Sequence, residues 1–344
     1  MSVKRLGTQT IAFAHPPGVI AAATVVGKKE GEGPLRATFD YISKDTTFGE
    51  STWEKSESRM QKEALVRAVD KSGLGMEALE LVFAGDLLNQ CIGSTFGLRE
   101  CGRPFLGLYG ACSTMAEGLA LCAMAVDGTY ANIAAALTSS HFCAAERQYR
   151  MPLEYGGQRP PTAQWTVTGA AAVILSGQGS GPYITHAVVG KIVDAGIRDV
   201  NNMGAAMAPA AHDTLSAFFV DTGTRPSDYD LIVTGDLGAL GADLLRDLFA
   251  LDGVSLGAYY TDCGLLIYDA ERQDVQAGGS GCACGAVVLC GHILEGMRAG
   301  AWNRVLFCGT GALLSPVSVQ QGETIPSVCH IVALSTALNG GTGA

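Results

Sequence analysis

The sequence predicts an α/β protein made of two related halves, and three observations carry that expectation. Of the 344 residues 48% are hydrophobic but only 7% aromatic, and 45 are glycine. Such a composition lets helices lie close against a largely parallel sheet. Short apolar runs of strand length alternate with longer stretches of helical periodicity. The order of these elements in the first part of the chain also returns in the second.

Taken in order, residues 18–27 form an apolar strand. Residues 28–50 are a charged, glycine-bearing loop suited to covering a site or packing on a partner. Residues 51–71 have helical periodicity, with Met60, Ala64, Leu65 and Val69 inward and Glu54, Glu57 and Lys62 outward. Gly73 ends that helix, and residues 81–84 are a buried strand leading into Gly85, Asp86 and Leu87. Near the middle, residues 108–122 pass from an apolar segment through Gly110 and Ala111 to Cys112 and a long apolar helix. A cysteine at a strand-to-helix turn points its sulfur at the helix N-terminus, where free N–H groups and the dipole favour a thiolate. The alternative for any buried cysteine is a small hydrophobe without special reactivity.

The repeat has two registers. A helix at 214–220, its stop at Gly223, a strand at 230–234 and then Gly235, Asp236 and Leu237 echo the earlier helix, Gly73 and Gly85, Asp86 and Leu87 at an offset of 150. At an offset of 172, Ala111 and Cys112 match Ala283 and Cys284, Gly128 matches Gly300, Tyr130 matches Trp302, and Ile133 matches Val305. Ordered matches of this kind point to an internal duplication. The halves meet at a flexible Gly-rich joint, residues 176–181.

The formal charge of −10 excludes nucleic acid as a partner. No run has the length of a membrane span or the form of a secretory leader. The 11 cysteines read as free thiols, and Cys282 and Cys284 lack the spacing of a zinc site, so no dedicated metal site is expected.

A duplicated α/β chain with a cysteine opening a buried helix resembles the thiolase and ketoacyl-synthase superfamily. That resemblance implies a thiolase-like fold of two pseudo-twofold related α/β halves, residues 1–176 and 177–344, in a layered α-β-α-β-α arrangement. Longer words narrow it: Thr46 to Glu54, Ser139 to Gln148, Tyr155 to Pro161 and Gln164 to Gly169 resemble the stage V sporulation AD family of spore-forming bacteria. The resemblance implies binding of dipicolinic acid during its uptake into the developing spore. It also implies other stage V sporulation A membrane proteins as partners and a peripheral place at the forespore or spore inner membrane. A homodimer formed through the sheet of the first half is expected on the same grounds.

The condensing relatives carry a His or Asn at two second-half turns, here residues 234–237 and 278–285, and neither turn holds one. The nucleophile turn therefore stands without its chemical partners, and a non-catalytic receptor is expected. The alternative is a thiolase-like acyltransferase with Cys112 as acyl acceptor. Of six histidines, His141 ends a strand on the rim of Cys112 and is the expected donor or base. His186 falls in an apolar strand, His212 reads as a cap for the next helix, and His15, His292 and His330 lie away from the turns. A planar ring with two carboxylates calls for Arg forks or backbone N–H groups and an apolar slot. The expected ligand contacts are Cys112, His141, Arg147, Asn89, Asp236, Gly279 and Ser280, with Arg150 and Arg159 in the same segment as Arg147. No cofactor is expected. Calcium would enter only with the ligand as its chelate, approached by Asp86 or Asp236 unless these merely cap helices.

Overall fold

The computed structural model describes residues 4–149 and 159–338. Ten strands build a continuous sheet path in two equivalent sets. The first set is β1 (Gly18–Val26), β2 (Leu81–Gly85), β3 (Phe105–Leu108), β4 (Ile133–Ser140) and β5 (Gly169–Ser176). The second is β6 (Tyr183–Val188), β7 (Leu231–Thr234), β8 (Tyr260–Asp262), β9 (Arg304–Ala312) and β10 (Ser327–Ser335). The first set runs β1-β5-β4-β2-β3 and the second β6-β10-β9-β7-β8, with the same parallel and antiparallel pairings at matching places. This shared topology is the structural form of the sequence repeat.

The two sets touch where Gly18 pairs with Tyr183. A Cβ on Gly18 would lie 2.7 Å from the carbonyl carbon of Gly179, so glycine is required for this approach.

Alternation along the strands sorts side chains into layers. In β5, Ala170, Ala172 and Ile174 face helix α1 (Trp53–Ser72), whereas Ala171, Val173 and Leu175 face the molecular centre. In β9, Val305 and Phe307 turn to the centre, and Leu306 and Cys308 turn to helices α5 (Met203–Thr222) and α6 (Gly238–Leu251). The central layer is α3 (Thr114–Asp127) with α7 (Cys282–Val288), which share one core with strands of both sets. Two further helices of the first half are α2 (Ile92–Leu98) and α4 (Phe142–Tyr149). Small residues keep the central layer thin: a Cβ on Gly118 would come 3.2 Å from that of Ala136. The result is the layered α/β architecture that the composition predicts.

Three local expectations are corrected. Glu57 is buried rather than outward, because α2 covers a second face of α1, with Gly97 against the Ser58 carbonyl. Helix α5 starts at Met203, not at residue 214. The Asn202 side chain caps it by accepting from the Ala205 N–H, and Pro209 is tolerated inside. His212 consequently lies within that helix, its Nε2 2.8 Å from Asp252, rather than capping it.

Candidate functional site

A cavity of about 580 Å³ opens where the two halves meet. Cys112 and Ala111 form part of its wall, with Ser280 and Gly281 beside them from the second half. Tyr109, Glu146, Gln148, Tyr149, Gln164 and Thr166 line it from the first half, and Met203 with residues 312–316 and 318–320 from the second.

The turn that presents Cys112 is sharp. Ala111 adopts φ +51°, a left-handed conformation unfavourable for a residue with a Cβ. Cys112 follows in a single 3₁₀ turn that runs into α3. Two hydroxyls fasten this elbow, Ser113 Oγ donating to Gly110 O at 2.6 Å and Thr114 Oγ1 to Ala111 O at 2.6 Å. Cys282, on the facing helix α7, donates its thiol to Ala111 O at 2.9 Å.

Behind the sulfur stands Asp236, wholly buried. Its carboxylate accepts from Thr310 Oγ1 at 2.8 Å, Ser280 Oγ at 3.0 Å and the Gly281 N–H at 3.0 Å. Burial first, and then the Asp236 charge, push the Cys112 thiol well above its usual range. Desolvation and a neighbouring anion thus oppose the thiolate that a helix N-terminus favours. Burial raises Asp236 itself, and the Cys112 thiol and Thr310 hydroxyl that hydrogen-bond to it act against that rise. Next to it Asp262 is pushed up to about 7 by burial, although it accepts from Thr234 Oγ1 and the N–H groups of Leu237, Gly238 and Gly264.

The structure distributes the expected site residues unevenly. Cys112 and Ser280 line the cavity, and Asp236 and Gly279 lie immediately behind it. His141 does not line it. Its Nε2 bonds Thr46 O at 2.9 Å, its Nδ1 accepts from the Cys143 N–H, and burial pushes the imidazole down toward neutrality. The Thr46 contact comes from the charged loop, which therefore closes over the end of β4. Arg147 lies on an outer face, ion-paired with Glu54 and above the Trp53 ring. Asn89 is near it at the surface, accepting from Tyr109 Oη at 3.3 Å. Arg150 lies outside the described residues.

Arg159 is anchored inside the wall instead. It pairs with Glu146 at 2.6 Å, donates to Gln164 O at 2.6 Å, and sits 4.9 Å from both rings of the Phe142–Trp165 stack. Asp86 takes the capping alternative, accepting from Leu88 N–H, Ser94 N–H and Ser94 Oγ. None of the six histidines lines the cavity, and among the described residues neither does any Lys or Arg. The residues that sequence reasoning did not single out are Gln148, Tyr149, Gln164 and the 312–320 wall. Gln164 opens one of the diagnostic words, but its orientation depends on turns more than 70 residues away, as its bonds to Asp236 O and Gly279 O show.

The stage V sporulation protein AD (SpoVAD) family matches residues 7–335 of this chain. Stage V sporulation protein AD of Bacillus subtilis (strain 168) is 46% identical over 335 residues, covering 97% of this chain and 99% of that protein. The chain belongs to the stage V sporulation protein AD family, and its role is in sporulation. Among solved structures, two of Xanthomonas campestris OleA variants align with TM-scores of 0.61 and 0.58. Each is 14% identical and covers 94% of this chain and 99% of OleA. What is shared with OleA at that identity is the thiolase-like fold. Among the described residues no helix is long and apolar enough to cross a membrane.

Proposed function

We propose that this member of a sporulation family is a non-catalytic receptor that binds dipicolinic acid in the Cys112 cavity during its uptake into the developing spore. One observation carries the reading: the thiol at the cavity wall faces a buried carboxylate whose oxygens are already held by Ser280, Gly281 and Thr310, where a condensing enzyme needs a free base and oxyanion donors. A carboxylate beside a thiol raises the cost of forming the thiolate, and it repels the oxyanion of a tetrahedral intermediate. The same wall suits binding. Tyr109 and Tyr149 offer aromatic surface, while Gln148, Thr166, Ser280, Ser315 and Ser318 offer neutral polar groups. With no described cation in the lining, recognition of the carboxylates falls to such groups, and a calcium chelate would lower the charge to be accommodated.

In this reading the protein works peripherally at the forespore or spore inner membrane, beside membrane-spanning stage V sporulation A proteins. It also pairs with a second copy along β3, an edge strand with Phe105 and Leu106 exposed. Calorimetric titration with dipicolinic acid, with and without calcium, tests the receptor role, using isophthalic acid as control. Saturable and selective binding that Cys112→Trp removes is the expected result. A folded wild-type protein that binds neither form would overturn the reading.

A further inference from the structure

Among the described residues two aromatic rings stand in the cavity lining, Tyr109 and Tyr149, and they are held very differently. Tyr109 is 53% exposed, and its hydroxyl reaches Asn89 Oδ1 over a long 3.3 Å. Tyr149 is the last residue of α4, partly exposed, and its hydroxyl donates to Leu87 O at 2.7 Å. That carbonyl is itself fixed. Gln148 Nε2 donates to it at 2.9 Å, while Gln148 Oε1 accepts from the Asn89 N–H at 2.9 Å, so one amide grips both sides of the turn. The turn closes through two successive left-handed residues, Gln90 at φ +61° and Cys91 at φ +49°. The Cys91 thiol ties it to β3 by donating to Leu108 O at 3.0 Å. Backbone of this kind persists only where its surroundings over-determine it. Burial, with Tyr109 adding to the effect, pushes the Tyr149 phenol far up, so its hydroxyl stays a neutral donor and the anchor does not titrate.

A ring pinned at one end by its helix and at the other by the Leu87 carbonyl has little freedom left to lose when a ligand stacks on it. A pyridine ring bearing two carboxyl groups is electron-poor, and it meets an electron-rich phenol ring favourably in offset stacking. A saturated ring of the same size gains burial but not that interaction. We propose that Tyr149 is a specificity-determining residue of the cavity, its anchored ring being the platform on which a planar aromatic acid stacks. The proposal rests on the receptor reading for the identity of the ligand; the platform itself asks only for a flat aromatic ring.

The test pair is dipicolinic acid and cis-tetrahydropyran-2,6-dicarboxylic acid, which keeps both carboxylates and a ring acceptor but not the flat ring. Calorimetric titration of the wild-type protein is expected to favour the aromatic acid. Tyr149→Leu removes the ring and is expected to lose about five-fold in affinity for dipicolinic acid and nothing for the saturated acid. Tyr149→Phe keeps the ring without its anchor and should lie between the two. Tyr109→Leu should keep the wild-type ratio. Melting temperatures report whether each variant folds. A cavity that merely collapses weakens both acids alike, so a wild-type ratio of affinities in Tyr149→Leu would overturn the proposal. An equal or larger loss of preference in Tyr109→Leu would assign the platform to that ring and overturn it too. Should Tyr149→Leu not fold, Tyr149→Phe decides, and an unchanged ratio there overturns the anchored platform. If the wild-type protein binds neither acid, the dipicolinate reading fails, and methyl benzoate against methyl cyclohexanecarboxylate still decides the platform. Greater thermal stabilisation by the aromatic ester, lost in Tyr149→Leu, upholds the role of Tyr149. Equal stabilisation by the two, or none by either, overturns it.

Discussion

The two halves share a strand order and even a tripeptide, Gly-Asp-Leu after the second strand of each set, yet the two aspartates do different work. In the first half Asp86 turns back on its own neighbourhood, accepting from Leu88 and from Ser94 on α2. In the second half the Gly238 N–H, equivalent to that of Leu88, is taken by Asp262, which also accepts from the Leu237 N–H at the start of α6. Asp236 is thereby free to reach Ser280, Gly281 and Thr310 and to sit against Cys112. The repeated topology places two carboxylates at equivalent turns, and the donors around each decide whether it closes on its own neighbourhood or backs the cavity wall.

Removing each carboxylate in turn separates the two. Asp236→Ala leaves two hydroxyls and an N–H unpaired in the interior and should cost about 3 kcal/mol or more. Asp86→Ala should cost less, about 1–2 kcal/mol, because it also relieves repulsion with buried Glu57. Urea unfolding of the two variants measures the difference; equal losses would mean that the turns are energetically equivalent.

The sheet edges give the second contrast. Strand β3 leaves Leu106 54% exposed, whereas at the other edge Tyr260 of β8 is buried. If copies pair along β3 as proposed, Leu106→Asp weakens that pairing at least about ten-fold, the size of a penalty near 1.4 kcal/mol. Sedimentation velocity checks it, and an assembly state unchanged from wild type would contradict pairing along β3.

The third concerns Glu57. Burial first, and then the Asp86 charge, push its carboxyl well above the ordinary range. Its Oε2 and the Oε1 of Gln61 are both buried without partners. The folded state thus holds a proton that the unfolded chain releases near the ordinary carboxylate range. The stability contributed by that proton is complete below this range and is lost as pH rises through the raised value. Glu57→Gln should flatten this part of the pH profile and add about 1 kcal/mol at neutral pH, because the amide is neutral in both states and the cost of keeping the carboxyl protonated disappears. Thermal melts across pH 4 to 8 read both effects, and a profile identical to wild type would contradict them.

These particular residues also show how far sequence reasoning reaches. The Gly110-Ala111-Cys112 turn and the repeated Gly-Asp-Leu were legible because tight turns and strand ends leave local signatures. Glu57 was misread because helical periodicity identifies the face toward the sheet but not a second face covered by α2. The start of α5 was hidden by Pro209, which local propensity reads as a break. His141 and Arg147 are near Cys112 in chain order but separated from the cavity by their own bonds to Thr46 and Glu54. Gln164 had a diagnostic context but no local mark of its role, since both of its partners come from the other half.

In the proposed receptor the second half meets Cys112 with a carboxylate, and the turn that presents the thiol is a cavity wall. Intact-mass spectrometry after incubation with acyl-coenzyme A thioesters tests it most directly. An unmodified mass is expected under conditions where a free thiol control also stays largely unacylated. An acyl adduct mapped to Cys112, formed faster than in that control and absent in Cys112→Ala, would contradict it.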